Sequence, residues 1–141
     1  MGIALCGEVK QLVDRPNFAH LATIMSDGSP HSDPVWIGRE NDLLLVCTEA
    51  GSLKGKNTLR DPRVSISMVD FVDPYSEVQI RGRVIERRPD PELSYYDAMS
   101  EKYTGKPWPY LNDKSPIVLF IEVTKARFSK QPFEHTPPSA N

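Results

Sequence analysis

Residues 51–60 read Gly-Ser-Leu-Lys-Gly-Lys-Asn-Thr-Leu-Arg, and Ser52, Lys54, Lys56, Asn57 and Arg60 among them have the chemistry to hold an anion. Ser52 suits a helix N-cap, and the segment 52–61 is predicted as a short helix. A helix start carries unpaired N–H groups and a partial positive charge. Ser52 with two lysines inside one turn would then form a cradle for phosphate. The same residues also read as a solvated cationic face. Two features weigh toward the anion. Lysines at a helix start oppose the helix dipole, which a bound anion would offset. Gly55 costs a helix roughly 1 kcal/mol relative to alanine, and its bare backbone would let a ligand come close.

Little else in the sequence suggests protein-borne catalysis. His20 lies among apolar residues and reads as a structural histidine, His135 as solvated. His31 opens a strand beside a turn, where it can face a ligand. Neither HExxH nor GxSxG occurs, and Glu40 and Asp42 fall in a turn. Cys6 and Cys47 form no CxxC pair, so no zinc site or disulfide framework is indicated. They read as buried or half-buried thiols in a reducing compartment. No metal is expected. An enzyme with so sparse a site borrows its chemistry from a cofactor.

The bulk properties narrow the partners. The chain has 141 residues and a formal net charge of −2. That size fits one domain, and that balance argues against a nucleic-acid binder. No apolar run is long enough to span a membrane and no N-terminal targeting signal is present. A soluble, cytoplasmic protein is expected.

The elements that must position these residues follow from periodicity. Residues 6–15 place Val9, Leu12 and Val13 on one helical stripe, which Pro16 ends. Strands are predicted over 17–25, 31–38, 43–48, 63–70, 76–87 and 117–130. The first two are joined by the Asp-Gly turn at 26–30, and Pro34 must sit at an edge or bulge. A helix is predicted over 90–105, with Asp90 as its cap and Pro91 at its first position. Residues 1–131 are read as one domain and 132–141 as a disordered tail. Six strands joined by short turns imply antiparallel pairing, most economically closed into a barrel without exposed edges.

The order of motifs resembles the split-barrel flavin-binding superfamily, the pyridoxamine 5′-phosphate oxidase-like proteins. The hairpin "LATIMSDGSPHSDPVW", the segment "K-K-N-L-R-DPRVSIS", the loop "KYTGKPWPY" and the closing strand "VLFIEVTKARF" carry the resemblance. It covers roughly residues 8–130. The resemblance implies a mainly β fold, an antiparallel split β-barrel with three short helices. The second strand, "HSDPVWIGRE", lacks the Arg-x-x-Leu-Leu-Lys segment with which true pyridoxamine phosphate oxidases grip the FMN phosphate. The C-terminus also lacks their Arg/Trp-rich substrate motif. Pyridoxal phosphate synthesis is not expected. The pattern is more similar to the branch of oxidoreductases that use the deazaflavin coenzyme F420.

That resemblance implies a homodimer that transfers hydride from reduced F420 to a small organic acceptor. Lys54 falls on the basic position that holds the cofactor's phosphate and acidic tail, with Lys56 and Asn57 beside it. Ser52 stands where some members place an arginine. Pro34, Val35 and Trp36 would line the ring, Thr48 and Ser52 would meet ribityl or phosphate oxygens, and His31, Trp108 and Tyr110 would border the substrate. No side chain is expected to carry the hydride itself. The alternatives are an FMN-dependent oxidoreductase or FMN-binding protein of the same fold, or a non-catalytic flavin or deazaflavin carrier. A dimer is also expected because "FAHLATIM", "RVSISMVD" and "VLFIEVT" look apolar on both faces, whereas a small barrel has one interior.

Overall fold

The computed structural model describes residues 2–111 and 114–139. Its elements run α1 (Gly7–Asp14), β1 (Ala19–Ile24), β2 (Pro30–Val35), β3 (Gly38–Glu40), β4 (Leu43–Glu49), α2 (Leu53–Arg60), β5 (Arg63–Val69), β6 (Ser76–Pro89), α3 (Ser94–Thr104) and β7 (Pro116–Lys130). All strand neighbours are antiparallel, in the order β2-β1-β5-β6-β7-β4-β3. The fold is the expected mainly β split barrel, with one correction. The sheet does not close, and β2 and β3 are its two edges. Only Trp36 and Ile37 separate these edge strands in the chain. The long strands β6 and β7 must therefore carry the sheet round. Two register shifts in the β6–β7 pairing mark the bend, one of them at Gly82. A Cβ at Gly82 would lie 2.4 Å from the Glu122 carbonyl oxygen, so only glycine permits this approach. Pro30 and Pro34 sit in the edge strand β2, where their missing N–H costs no ladder bond.

The predicted strand 31–38 is in fact two strands, which raises the count from six to seven. The break at Trp36–Ile37 has a physical cause. The Ile37 N–H donates to the Tyr103 hydroxyl at 3.1 Å, and the Ile37 carbonyl accepts from Lys102 Nζ at 2.5 Å. Side chains of α3 thus take the backbone groups that a continuous ladder would have used. The helix α3 itself starts at Ser94, later than expected. Leu93 precedes it in the left-handed region, with φ at 60°. Asp90 still serves the helix, accepting the N–H groups of Tyr95 and Tyr96 at 3.1 Å each.

The alternating faces of β1, β5, β6 and β7 enclose a core that includes Leu21, Ile66, Ile80 and Ile121. The α1 stripe of Val9, Leu12 and Val13 is buried against it, as its spacing predicts. A second core lies on the other face of β4 and β7, where Leu45, Val118 and Phe120 pack with Met99 of α3. That contact removes part of the reason given for a dimer. The "VLFIEVT" strand is apolar on both faces because the chain covers both. In "RVSISMVD" the outward residues are Arg63, Ser65, Ser67 and Val69, mostly polar. His20 is exposed on the outer face of β1 and not buried among apolar residues, and Cys6 is exposed as well. Residues 132–139 form no helix or strand; the rings of Phe133 and His135 lie 5.3 and 6.3 Å from that of Tyr75. The last two residues of the expected tail lie outside the described residues. Among the described residues no helix is long and apolar enough to cross a membrane.

Candidate functional site

Where the β2 edge, β4, α2 and α3 meet, they enclose a cavity of about 430 Å³. Its aromatic walls are Phe18, Trp36, Tyr96 and Trp108, and Pro34, Val35, Cys47 and Met99 complete the apolar lining. Among the described residues that line it, Lys54 alone is charged. The walls are braced from behind. Trp36 stacks on Tyr103 with centroids 5.1 Å apart and planes within 7°. Trp108 meets Trp36 and Tyr96 edge-on at 6.0 and 5.4 Å, and its backbone N–H donates to the Asp97 carboxylate at 2.9 Å. Tyr103 is fixed in turn, since its hydroxyl donates to the Asn17 carbonyl at 2.5 Å. The Cys47 thiol is pushed up to about 12, first by burial and then by the nearby charge of Asp90. It stays neutral at physiological pH and is no nucleophile.

The helix α2 delivers Lys54 to the rim of this cavity. Ser52 caps the helix, accepting the Gly55 N–H at 3.0 Å, as predicted. Its hydroxyl also donates to the Glu49 carbonyl at 2.8 Å and pairs with that of Thr48 at 2.7 Å. Thr48 is only 7% exposed. Both hydroxyls are therefore spent in securing the helix start. Lys54 Nζ lies 3.6 Å from Asp33 of β2, and the other Asp33 oxygen lies 3.2 Å from Nε2 of His31.

The remaining α2 residues turn elsewhere. Lys56 is exposed and does not line the cavity, because side chains two apart on a helix do not share a face. Asn57 is 2% exposed. Its amide donates to the Thr23 hydroxyl at 3.0 Å and its oxygen accepts from Arg60 at 3.0 Å, so it ties α2 to β1. Arg60 also donates to the Ile24 carbonyl at 2.6 Å. Gly55 does not open the backbone to a ligand. A Cβ there would lie 2.5 Å from the Glu49 carbonyl oxygen and 2.7 Å from that of Ala50, so the glycine lets α2 close on the preceding turn. Of the expected site residues, Pro34, Val35, Trp36, Lys54 and Trp108 converge on the cavity. His31 stands behind Asp33, and Tyr110 packs on Trp108 from outside at 5.2 Å. Among the described residues no group of three or more His, Cys, Asp or Glu side chains could hold a metal ion.

Residues 5–130 match the family described as pyridoxamine 5′-phosphate oxidase. The chain belongs to that family. Among solved structures, an F420 reductase is 26% identical, with a TM-score of 0.78, over 84% of this chain and 94% of its own. Protein Rv2991 from Mycobacterium tuberculosis is 22% identical with a TM-score of 0.72, over 99% and 94%. General Stress Protein 26 from Bacillus anthracis is 16% identical with a TM-score of 0.67, over 86% and 91%. No curated protein matches the sequence. A flavin-type oxidoreductase fold is thereby shown. In this member of the pyridoxamine 5′-phosphate oxidase family, sequence reasoning missed four wall residues, Phe18, Cys47, Tyr96 and Met99, and the carboxylate of Asp33. Tyr96, Met99 and Tyr103 do follow helical spacing, so one face of α3 was readable. What that face covers was not.

Proposed function

We propose that the protein is an F420-dependent oxidoreductase, which takes hydride from the reduced deazaflavin to a small organic acceptor. The observation that carries this reading is the pairing of an aromatic-walled cavity with one ammonium at its rim. A planar tricyclic ring with a single anionic arm fits that pattern, and the volume lies in the ordinary range for small-ligand sites. The likeness to an F420 reductase supports the choice of ring. When bound, the deazaflavin supplies the hydride at its C5 position.

The chain's own residues bind, orient and exclude water. Pro34, Val35 and Trp36 offer a rigid flat wall, held by Tyr103. Lys54 would hold the phosphate through a charge-assisted hydrogen bond. Trp108 closes the side on which the acceptor would stack, with Tyr110 behind it. Positioning two rings in contact while excluding water is the protein's share of catalysis. A second copy of the chain completes the site in this reading. Phe18 lines the cavity yet is 47% exposed, and it touches Phe71, which is 71% exposed. These two rings make an apolar rim that a partner would cover.

A fluorescence titration with F420 and FMN tests the cofactor assignment. F420 is expected to bind at least about tenfold tighter, a difference of roughly 1.4 kcal/mol. Equal or tighter binding of FMN would move the assignment to an FMN protein. Turnover of reduced F420 with added acceptors then separates an enzyme from a carrier.

A further inference from the structure

We infer that Asp33 is a specificity-determining residue, an anion built into the site that selects against cofactors placing a doubly charged phosphate at Lys54. The inference rests on the proposed role of Lys54 and deepens it. The carboxylate lies 3.6 Å from Lys54 Nζ, beyond hydrogen-bonding range, so it attracts the ammonium without using its donors. Among the described residues Lys54 makes no side-chain hydrogen bond to any other acceptor. The side chains are 21% and 28% exposed, so solvent screens the pair only in part. The second Asp33 oxygen is held by His31 at 3.2 Å, and this keeps the carboxylate in place when Lys54 turns to a ligand.

An incoming phosphate therefore meets one cation and one fixed anion. A phosphomonoester such as that of FMN carries about −1.5 to −2 at neutral pH, whereas the phosphate of F420, a diester that joins the ring's side chain to the acidic tail, carries one charge at that group. Repulsion scales with that charge. A lone carboxylate thus penalises the monoester about twice as much as the diester, and it leaves a phosphate-free ring untouched. The side chain occupies an edge strand flanked by Pro34, with apolar Leu21 as its partner across the ladder. No fold requirement is evident for a charge there.

The test compares wild type with Asp33→Asn, and with Asp33→Ser should the first variant fold poorly. Each is titrated with FMN, riboflavin and F420 through the fluorescence of Trp36 and Trp108. FMN is expected to tighten about tenfold, F420 about threefold, and riboflavin less than twofold. An unchanged FMN affinity, or equal tightening of FMN and riboflavin, overturns the inference. If no flavin or deazaflavin binds either protein, the cofactor reading falls. The Asp33 inference is then judged on inorganic pyrophosphate alone. Pyrophosphate must bind Asp33→Asn more tightly than wild type, and equal binding overturns it.

Discussion

Three cations lie close together in α2, yet each answers to a different partner. Lys54 faces an aromatic cavity, Arg60 is taken by the end of β1, and Lys56 points to solvent. The cluster seen in the sequence is thus not one functional unit. A charge-assisted hydrogen bond contributes roughly 1.5–3 kcal/mol. Lys54→Ala is therefore expected to weaken F420 binding by about one to two orders of magnitude. Its thermal midpoint should stay nearly unchanged, because the lysine opposes the dipole of its own helix. Lys56→Ala should bind as wild type does. Titrations of both variants at two salt concentrations check this, with the wild-type affinity falling as salt rises. Wild-type binding by Lys54→Ala would reduce the lysine to a surface charge.

At the scale of elements, two helices set the site through backbone contacts that leave no room for error. In α2, Gly55 sits where a Cβ would strike the carbonyl oxygens of Glu49 and Ala50. Helix propensity alone would have Gly55→Ala stabilise by about 1 kcal/mol. The clash is expected to reverse that sign, for a net loss of about 1–3 kcal/mol in urea denaturation. In α3, Lys102 clamps the carbonyls of Val13 and Ile37, tying α1 to the break between β2 and β3. Burial lowers its pKa from 10.5 to about 8, against a smaller upward pull from Asp14. The folded value is below the unfolded one, so the unfolded chain binds more protons between them and stability rises with pH through that window. Below about pH 8 the burial penalty of the charged form is present in full. Burial pushes the Tyr103 hydroxyl above its ordinary value of 10.0, which acts in the opposite sense at higher pH. Denaturation between pH 8 and 10 should therefore show stability climbing in wild type, and Lys102→Met should flatten the climb.

For the whole molecule the question of assembly turns on which apolar surface the single chain leaves exposed. The doubly apolar character of β7 is satisfied inside one chain by α3, so it no longer argues for a partner. The exposed rim that Phe18 and Phe71 form at the cavity does. A two-fold dimer with that rim at its interface is expected at micromolar concentration. Sedimentation velocity checks it, with Phe71→Asp shifting wild-type dimer toward monomer. A wild-type chain that sediments as a stable monomer would leave the cavity open to water and remove the second copy from the mechanism.

Much of this protein is written in local pattern. The α1 stripe, the strict alternation of β5, the Ser52 cap and the edge position of Pro34 follow from short-range sterics, hydrogen bonding and burial, which neighbours along the chain determine. The motif order was enough for the superfamily, and Lys54, Trp36 and Trp108, singled out in the sequence, all line the cavity. Other features depend on groups far apart in the chain. Ile37 leaves the ladder because Lys102 and Tyr103 of α3 capture its backbone. Asn57 is structural because Thr23 and Arg60 satisfy its amide within a buried contact. Asp33 matters because the tertiary structure brings its carboxylate to Lys54. Residue type and spacing limit what a side chain can do, but a polar group's role is decided by the partner that meets it, and only the folded chain supplies that partner.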